Sequence, residues 1–294
     1  MTRRLPAVAL VGAAVLAMPA CAGGTAPADP TSSATRSSSS THPAAHRTTA
    51  TRPASTSGER ALDRAVDEVA AAHPDAQLAL AHAPVGGGRV HEHGDDRDLV
   101  AWSTIKVPLA LAVIRSEQGE SATTDIDAAL TASDNDAAES LWERLGSGQA
   151  AASAVETQLA RGGDSRTRVP PEVTVAGYSP FGQAHWRLRD QTRFASQLPC
   201  LAGSDTVTEA MGRVVDGQRW GLGTVDGARY KGGWGSTPEG YVVRQLGVVP
   251  GAKGDVAVAL QVRTGTHEQG TAIADELADA FADHLRRLPS GRCP

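Results

Sequence analysis

Ser103 and Lys106 stand three residues apart in Trp102-Ser103-Thr104-Ile105-Lys106, a spacing that suits a hydroxyl nucleophile paired with an amine base. A serine hydroxyl is a weak nucleophile at its free pKa and needs a base beside it. On a helix, side chains at i and i+3 share a face one turn apart. A lysine packed into the apolar run 107–114 can be driven toward its neutral form by burial and act as that base. The start of a helix adds the positive end of its dipole, which favours a developing oxyanion. Taken alone, the pair also reads as a capping serine beside a solvated lysine. Two more polar segments follow. Ser133-Asp134-Asn135 precedes an Ala-rich helical pattern and reads either as an N-cap or as a second set of catalytic groups. Lys231-Gly232-Gly233-Trp234 opens a strand region, where a lysine facing a cleft would attract a carboxylate. His91-Glu92-His93-Gly94-Asp95 places two imidazoles on one strand face, as a zinc site would. Asp96 follows where a further histidine is needed and no later Cys/His set completes it, so neither a metal nor a cofactor is expected.

Ser103-x-x-Lys106, Ser133-Asp134-Asn135 and Lys231-Gly232-Gly233, in that order, resemble the signature of the penicillin-recognising serine hydrolases, class A β-lactamases in particular. The resemblance runs from about residue 59 to the end. It implies that Ser103 attacks a carbonyl, that Ser133 relays a proton to the leaving nitrogen, and that Asn135 holds Lys106 and the substrate amide. Asp134 would be structural. The backbone N–H groups of Ser103 and Trp234 would form the oxyanion hole beside Gly233, and Lys231 would bind the substrate carboxylate. The third motif reads Lys-Gly-Gly, so Gly232 removes a hydroxyl that helps hold that carboxylate, a hydrogen bond to charge worth about 1.5–3 kcal/mol. Arg244 is a substitute anion contact or a solvent-facing strand residue. The family needs a loop glutamate to activate the deacylating water, and Glu172 in Val169-Pro170-Pro171-Glu172 stands in the corresponding loop. The family's partner asparagine is replaced by Ala176, and the proline precedes the glutamate. A surface carboxylate is the competing reading of Glu172. Only 30 residues separate Ser103 from Ser133, so part of the helical lobe is trimmed. Tyr178-Ser179-Pro180-Phe181-Gly182 and Trp186 either line the cleft or pack locally.

Three activities stay open on these residues: acyl-enzyme hydrolysis of β-lactams, a D-Ala-D-Ala carboxypeptidase or penicillin-binding protein acting on peptidoglycan stem peptides, and a non-catalytic wall-binding lipoprotein. The ligand is a small molecule or a stem peptide, and the expected state is a monomer. The chain of 294 residues carries a net charge of −5 without a basic stripe, which argues against nucleic acid. Arg3 and Arg4 precede a short apolar run, as in an export signal over residues 1–20. Cys21 follows in a context resembling a lipobox, and residues 21–58 are an Ala/Ser/Thr/Pro tether too poor in apolar side chains to fold. Lipidation of Cys21 would place the domain, residues 59–294, at the outer face of the cell membrane; signal-peptidase cleavage would secrete it. With Cys21 lipidated, Cys200 and Cys293 form an even pair in an oxidising compartment, bonded or as two thiols.

Periodicity predicts a helix ending at His73-Pro74, a hairpin of strands over 76–81 and 89–93 turning at Gly86-Gly87-Gly88, and a helix over 107–114. One helix is predicted over 128–145, then a helical stretch over 147–220 interrupted by a loop over 162–183. Strands over 241–249 and 256–262 and a last amphipathic helix before Pro289 complete the chain. Pro108 predicts a bent helix or an irregular first turn. Strands gathered from both ends of the chain favour an antiparallel sheet. The expected class is α+β, a β-lactamase/transpeptidase-like antiparallel sheet flanked by N- and C-terminal helices, with a helical lobe on the other face.

Overall fold

The computed structural model describes residues 56–294. The expected leader, most of the tether and Cys21 lie outside the described residues. The first helix, α1 (Ser57–Ala72), starts two residues before the expected domain boundary because Thr56 caps it. The Thr56 hydroxyl accepts from the Glu59 N–H at 3.2 Å, and the Glu59 carboxylate accepts from the Thr56 N–H.

After α1 come β1 (Gln77–Pro84), β2 (His91–Gly94) and the short β3 (Leu99–Val100). A 3-10 turn, Trp102–Ile105, leads into α2 (Lys106–Ile114). The lobe continues with α3 (Thr123–Thr131), α4 (Asn135–Arg144), α5 (Gly148–Arg161), β4 (His185–Trp186), α6 (Leu188–Gln197) and α7 (Ser204–Met211). The chain returns through β5 (Arg229–Thr237), β6 (Gly240–Pro250) and β7 (Asp255–Thr264), and closes with α8 (His267–His284). The main sheet has the order β2-β1-β7-β6-β5 and is antiparallel throughout, as expected; β3 and β4 form a separate two-stranded ribbon.

Side-chain alternation sorts the two layers. Leu78, Leu80, Val256, Val258, Leu260 and Val262 face α1 and α8, where Leu62, Val66, Ile273, Leu277 and Phe281 meet them. Ala79, Ala81, Ala83, Ala257 and Ala259 face the helical lobe. Their small side chains let α6 settle directly on the strands.

Two expectations change. The helix predicted over 128–145 is two helices, α3 and α4, parted at Ala132–Asp134. Ser133 takes φ +58, a left-handed conformation no helix continues through, and the Asp134 carboxylate caps α4 by accepting from the Ala137 N–H at 2.8 Å. Pro108 sits in the first turn of α2, where its missing N–H has little cost, and the irregularity precedes it as the 3-10 turn.

Cys200 and Cys293 are joined in a disulfide, with Cα atoms 5.3 Å apart, tying the C-terminus to the lobe beside α6. The bond closes a loop of 93 residues. C293S is expected to lower stability by about 2–5 kcal/mol, read as a lower denaturant midpoint in chemical unfolding.

The histidines of β1 and β2 form a stack. His82 is fully buried, with its ring 5.3 Å from His91 and 5.2 Å from His93. Glu59 and Asp63 on α1 hold the outer two at 2.6 and 2.5 Å. Burial, then the neighbouring His93 and His91, keeps His82 neutral well below the usual imidazole range. A base that is harder to protonate when folded gives stability that is full above its unfolded pKa and is lost as pH falls below it. Stability is expected to fall below about pH 6.5, by up to ~1.4 kcal/mol per pH unit from this group. Unfolding free energies across pH 5–8 check this; H82L should flatten the acid limb.

Candidate active site

The turn that carries Ser103 is built on strain and held by a buried network. Trp102 adopts φ +49, unfavourable for a side-chain-bearing residue, immediately before the half-buried Ser103. Behind the turn, the Thr104 hydroxyl donates to Ala101 O at 2.6 Å and accepts from Gln191 Nε2 at 2.9 Å. Ala101 N–H donates to Ala184 O at 2.7 Å.

Arg244 completes this network, so it is neither of the things expected of it. It is fully buried, with Nη1 donating to Leu99 O (2.9 Å) and Val100 O (3.0 Å), and Nη2 to Trp186 O (2.8 Å) and Gln191 Oε1 (3.0 Å). It lies opposite Gly233 on the sheet, and the absent side chain there leaves the guanidinium room to run beneath the turn. Burial brings its pKa down to about 10. It pins the strand that feeds the nucleophile and is no substrate-carboxylate contact.

Lys106 is buried, and its Nζ donates to Ser133 O (2.7 Å), Asp134 O (3.1 Å) and Asn135 Oδ1 (2.7 Å). Burial pushes its pKa down to about 8, against a smaller opposing pull from Asp134. The Ser133 hydroxyl turns the other way and accepts from Lys231 Nζ at 2.9 Å; that ammonium also donates to Gly232 O at 2.7 Å. Lys231 is fully buried, and burial, with Lys106 nearby, holds its pKa well below the usual lysine value. Ser133 therefore gives its carbonyl to one lysine and its hydroxyl to the other.

The sheet's edge strand, β5, lies against the nucleophile turn. A Cβ on Gly233 would stand 2.8 Å from Ser103 N and 2.9 Å from Thr104 N, so only glycine permits this approach. As an edge strand, β5 leaves alternate N–H groups unpaired by a neighbouring strand. Gly232 has a partner of its own: a Cβ there would come within 3.2 Å of the Trp220 indole, which stands where the hydroxyl side chain of the motif would begin.

A cleft of about 450 Å³ unites these parts, lined among others by Ser103, Lys106, Asn135, Trp234, Tyr178 and Glu139. Tyr178 to Gly182 line it as one of the two expectations had it. Trp186 does not; it is fully buried with Nε1 on Asp164 Oδ2 at 2.9 Å. Glu172 is exposed and outside the cleft, while its neighbour Val173, also exposed, lines the cleft. The loop's stem is fixed by Asp164, which accepts from Arg166 and Thr167 N–H, and by Glu156, which accepts from Val169 N–H. Glu139 and Asp136, also at the cleft, were not singled out in the sequence, because a charged residue on an amphipathic helix ordinarily reads as a solvated face. The four-residue spacing of Glu139 from Asn135 is the signal that places it on the same side of the helix. Among the described residues no group of three or more His, Cys, Asp or Glu is placed to hold a metal ion.

No protein-family model and no curated protein sequence matches the chain. Solved structures do. The TLA-1 extended-spectrum β-lactamase matches with a TM-score of 0.62 at 14% identity, over 78% of this chain and 99% of its own. A β-lactamase from Sphaerobacter thermophilus matches with 0.57 at 18% identity, over 78% and 98%. A PBP-A mutant, captured as an acyl-enzyme with penicillin G, matches with 0.57 at 17% identity, over 77% and 97%. At these identities the likeness is one of fold: an antiparallel sheet between paired terminal helices and a helical lobe, the β-lactamase/transpeptidase fold.

Proposed function

We propose that the chain is a serine hydrolase that forms an acyl-enzyme at Ser103 on the amide carbonyl of a β-lactam or of a peptidoglycan stem peptide. The observation that carries this reading is Lys106, buried one 3-10 turn from Ser103 with its pKa down to about 8, in the same cleft. A neutral fraction of that amine is present near neutral pH and can take the Ser103 proton as Oγ bonds to the carbonyl carbon. Ser103 and Trp234 N–H groups receive the oxyanion. Ser133, hydrogen-bonded to Lys231, returns a proton to the leaving nitrogen. Asn135 fixes Lys106 and offers its amide to the substrate. Lys231 acts from behind Ser133, as a proton and field source, while the cleft surface itself is poorer in carboxylate anchors than the motif's usual form.

The peptidase reading is kept by one observation: Glu172 is exposed and outside the cleft, so the expected deacylating carboxylate is not where it is needed. Reading Cys21 as a lipidation site would put either activity at the outer face of the cell membrane, and signal-peptidase cleavage would make it secreted. A non-catalytic wall-binding role would leave the cleft as a ligand pocket.

Incubation of the protein with a fluorescent penicillin separates the three. Label lost in S103A, and turned over, is the expected result; a lasting adduct indicates the peptidase, and no label the binding protein. The acylation rate should rise with pH and level off above about 8, since a base acts only once deprotonated; below that it falls about tenfold per pH unit. G233A, whose Cβ would press on Ser103 N, should acylate about 10²–10³-fold slower while remaining folded, measured by the same labelling and by circular dichroism.

A further inference from the structure

Helix α4 presents more to the cleft than Asn135. Glu139 lies one turn beyond it, and both line the cleft together with Ser103 and Lys106. Residues four apart on a helix have Cβ atoms about 5–6 Å from each other. Asn135 Oδ1 stands 2.7 Å from Lys106 Nζ, and Glu139, an exposed side chain one helical turn along α4, lines the same cleft. No hydrogen bond or ion pair engages Glu139 among the described residues, unlike Asp134, which caps α4. Asp136 is shorter and sits in the first helical turn, where the helix dipole favours a fixed charge.

We propose that Glu139 is the general base that activates water against the Ser103 acyl-enzyme, the task its sequence position on a helix conceals and Glu172 does not perform. The proposal rests on the reading that Ser103 is acylated. In this step a water oxygen bonds to the ester carbonyl carbon while its proton passes to the Glu139 carboxylate. The oxyanion is held by Ser103 and Trp234 N–H groups. Collapse breaks the bond from the carbonyl carbon to Ser103 Oγ, and the proton held by Glu139 returns to that oxygen. The products are the free carboxylic acid and the regenerated serine, with no other reactant. Glu139 is exposed to the cleft, and desolvation there, then the neighbouring Glu143 charge, raise its pKa above the usual carboxylate value.

The test follows the covalent adduct by intact mass after a pulse of penicillin G, on native protein, E139Q, E139A and E172Q. Native and E172Q adducts should decay alike. E139Q should acylate at the native rate and lose the adduct about 10²–10⁴-fold more slowly. Native deacylation should rise with pH through the Glu139 pKa, while E139Q stays flat, and added formate should speed E139A. An E139Q adduct that decays at the native rate overturns the assignment and leaves Ser103 acylation standing. So does a native adduct that persists. Absence of any native adduct overturns both.

Discussion

Everything in the cleft depends on the Lys106 ammonium reaching across the fold to three oxygens of one tripeptide. Those oxygens belong to residues 27 to 29 positions further on, at the break between α3 and α4. The contact does two things at once. It fastens the helical lobe to the nucleophile turn, and it removes the amine from water, which is why its proton becomes removable near neutral pH. A solvated lysine would keep its proton and serve neither purpose. The left-handed backbone of Ser133 makes the arrangement possible, because it turns the carbonyl toward Lys106 while the hydroxyl meets Lys231. Two buried amines that share Ser133, one through its carbonyl and one through its hydroxyl, disfavour double protonation, and burial, helped by Lys106 nearby, holds Lys231 below the usual lysine range.

The opposite wall is held by a different kind of interaction. Arg244 has four acceptors for its Nη groups in the interior, three of them main-chain carbonyls of β3 and β4. A buried guanidinium is costly unless its donors are met; Nε has no partner among the described residues, and the four Nη contacts fix the path of the backbone just ahead of Trp102. The strained φ at Trp102 is then sustained by its surroundings, with Thr104 and Gln191 closing the turn from behind. Ser103 is thus placed by groups that do not touch the cleft. Gly233 brings the sheet edge to the same turn from the front.

Much of this was legible in the residues. The period-two pattern of Val256, Val258, Leu260 and Val262 reports one face of β7, and both ends of the chain supply the strands of a single sheet. Ser103, Lys106, Ser133 and Asn135 were legible as chemistry because their spacings recur as motifs. Lys231 was legible as part of the site, but not its depth: burial depends on what packs above a strand, and the Ser133 segment that meets its Nζ is 98 residues away. Arg244 misled for the same reason, since a strand arginine carries no local sign of which layer it enters. Glu172 misled because position within a loop does not determine which side chain turns inward. The break at Ser133 was hidden by helix-forming residues on both sides of it. Its signal was the Ser-Asp-Asn sequence itself, which favours caps over helix interiors.

The bond between Cys200 and Cys293 has a consequence for how the molecule tolerates damage. It encloses β5, β6, β7 and α8 in one covalent ring. A protease that severs one peptide link anywhere in that ring, in a strand-joining turn for instance, frees no fragment. The sheet edge stays anchored beside the serine, and a nicked molecule keeps its parts in one piece until the sulfur link is reduced.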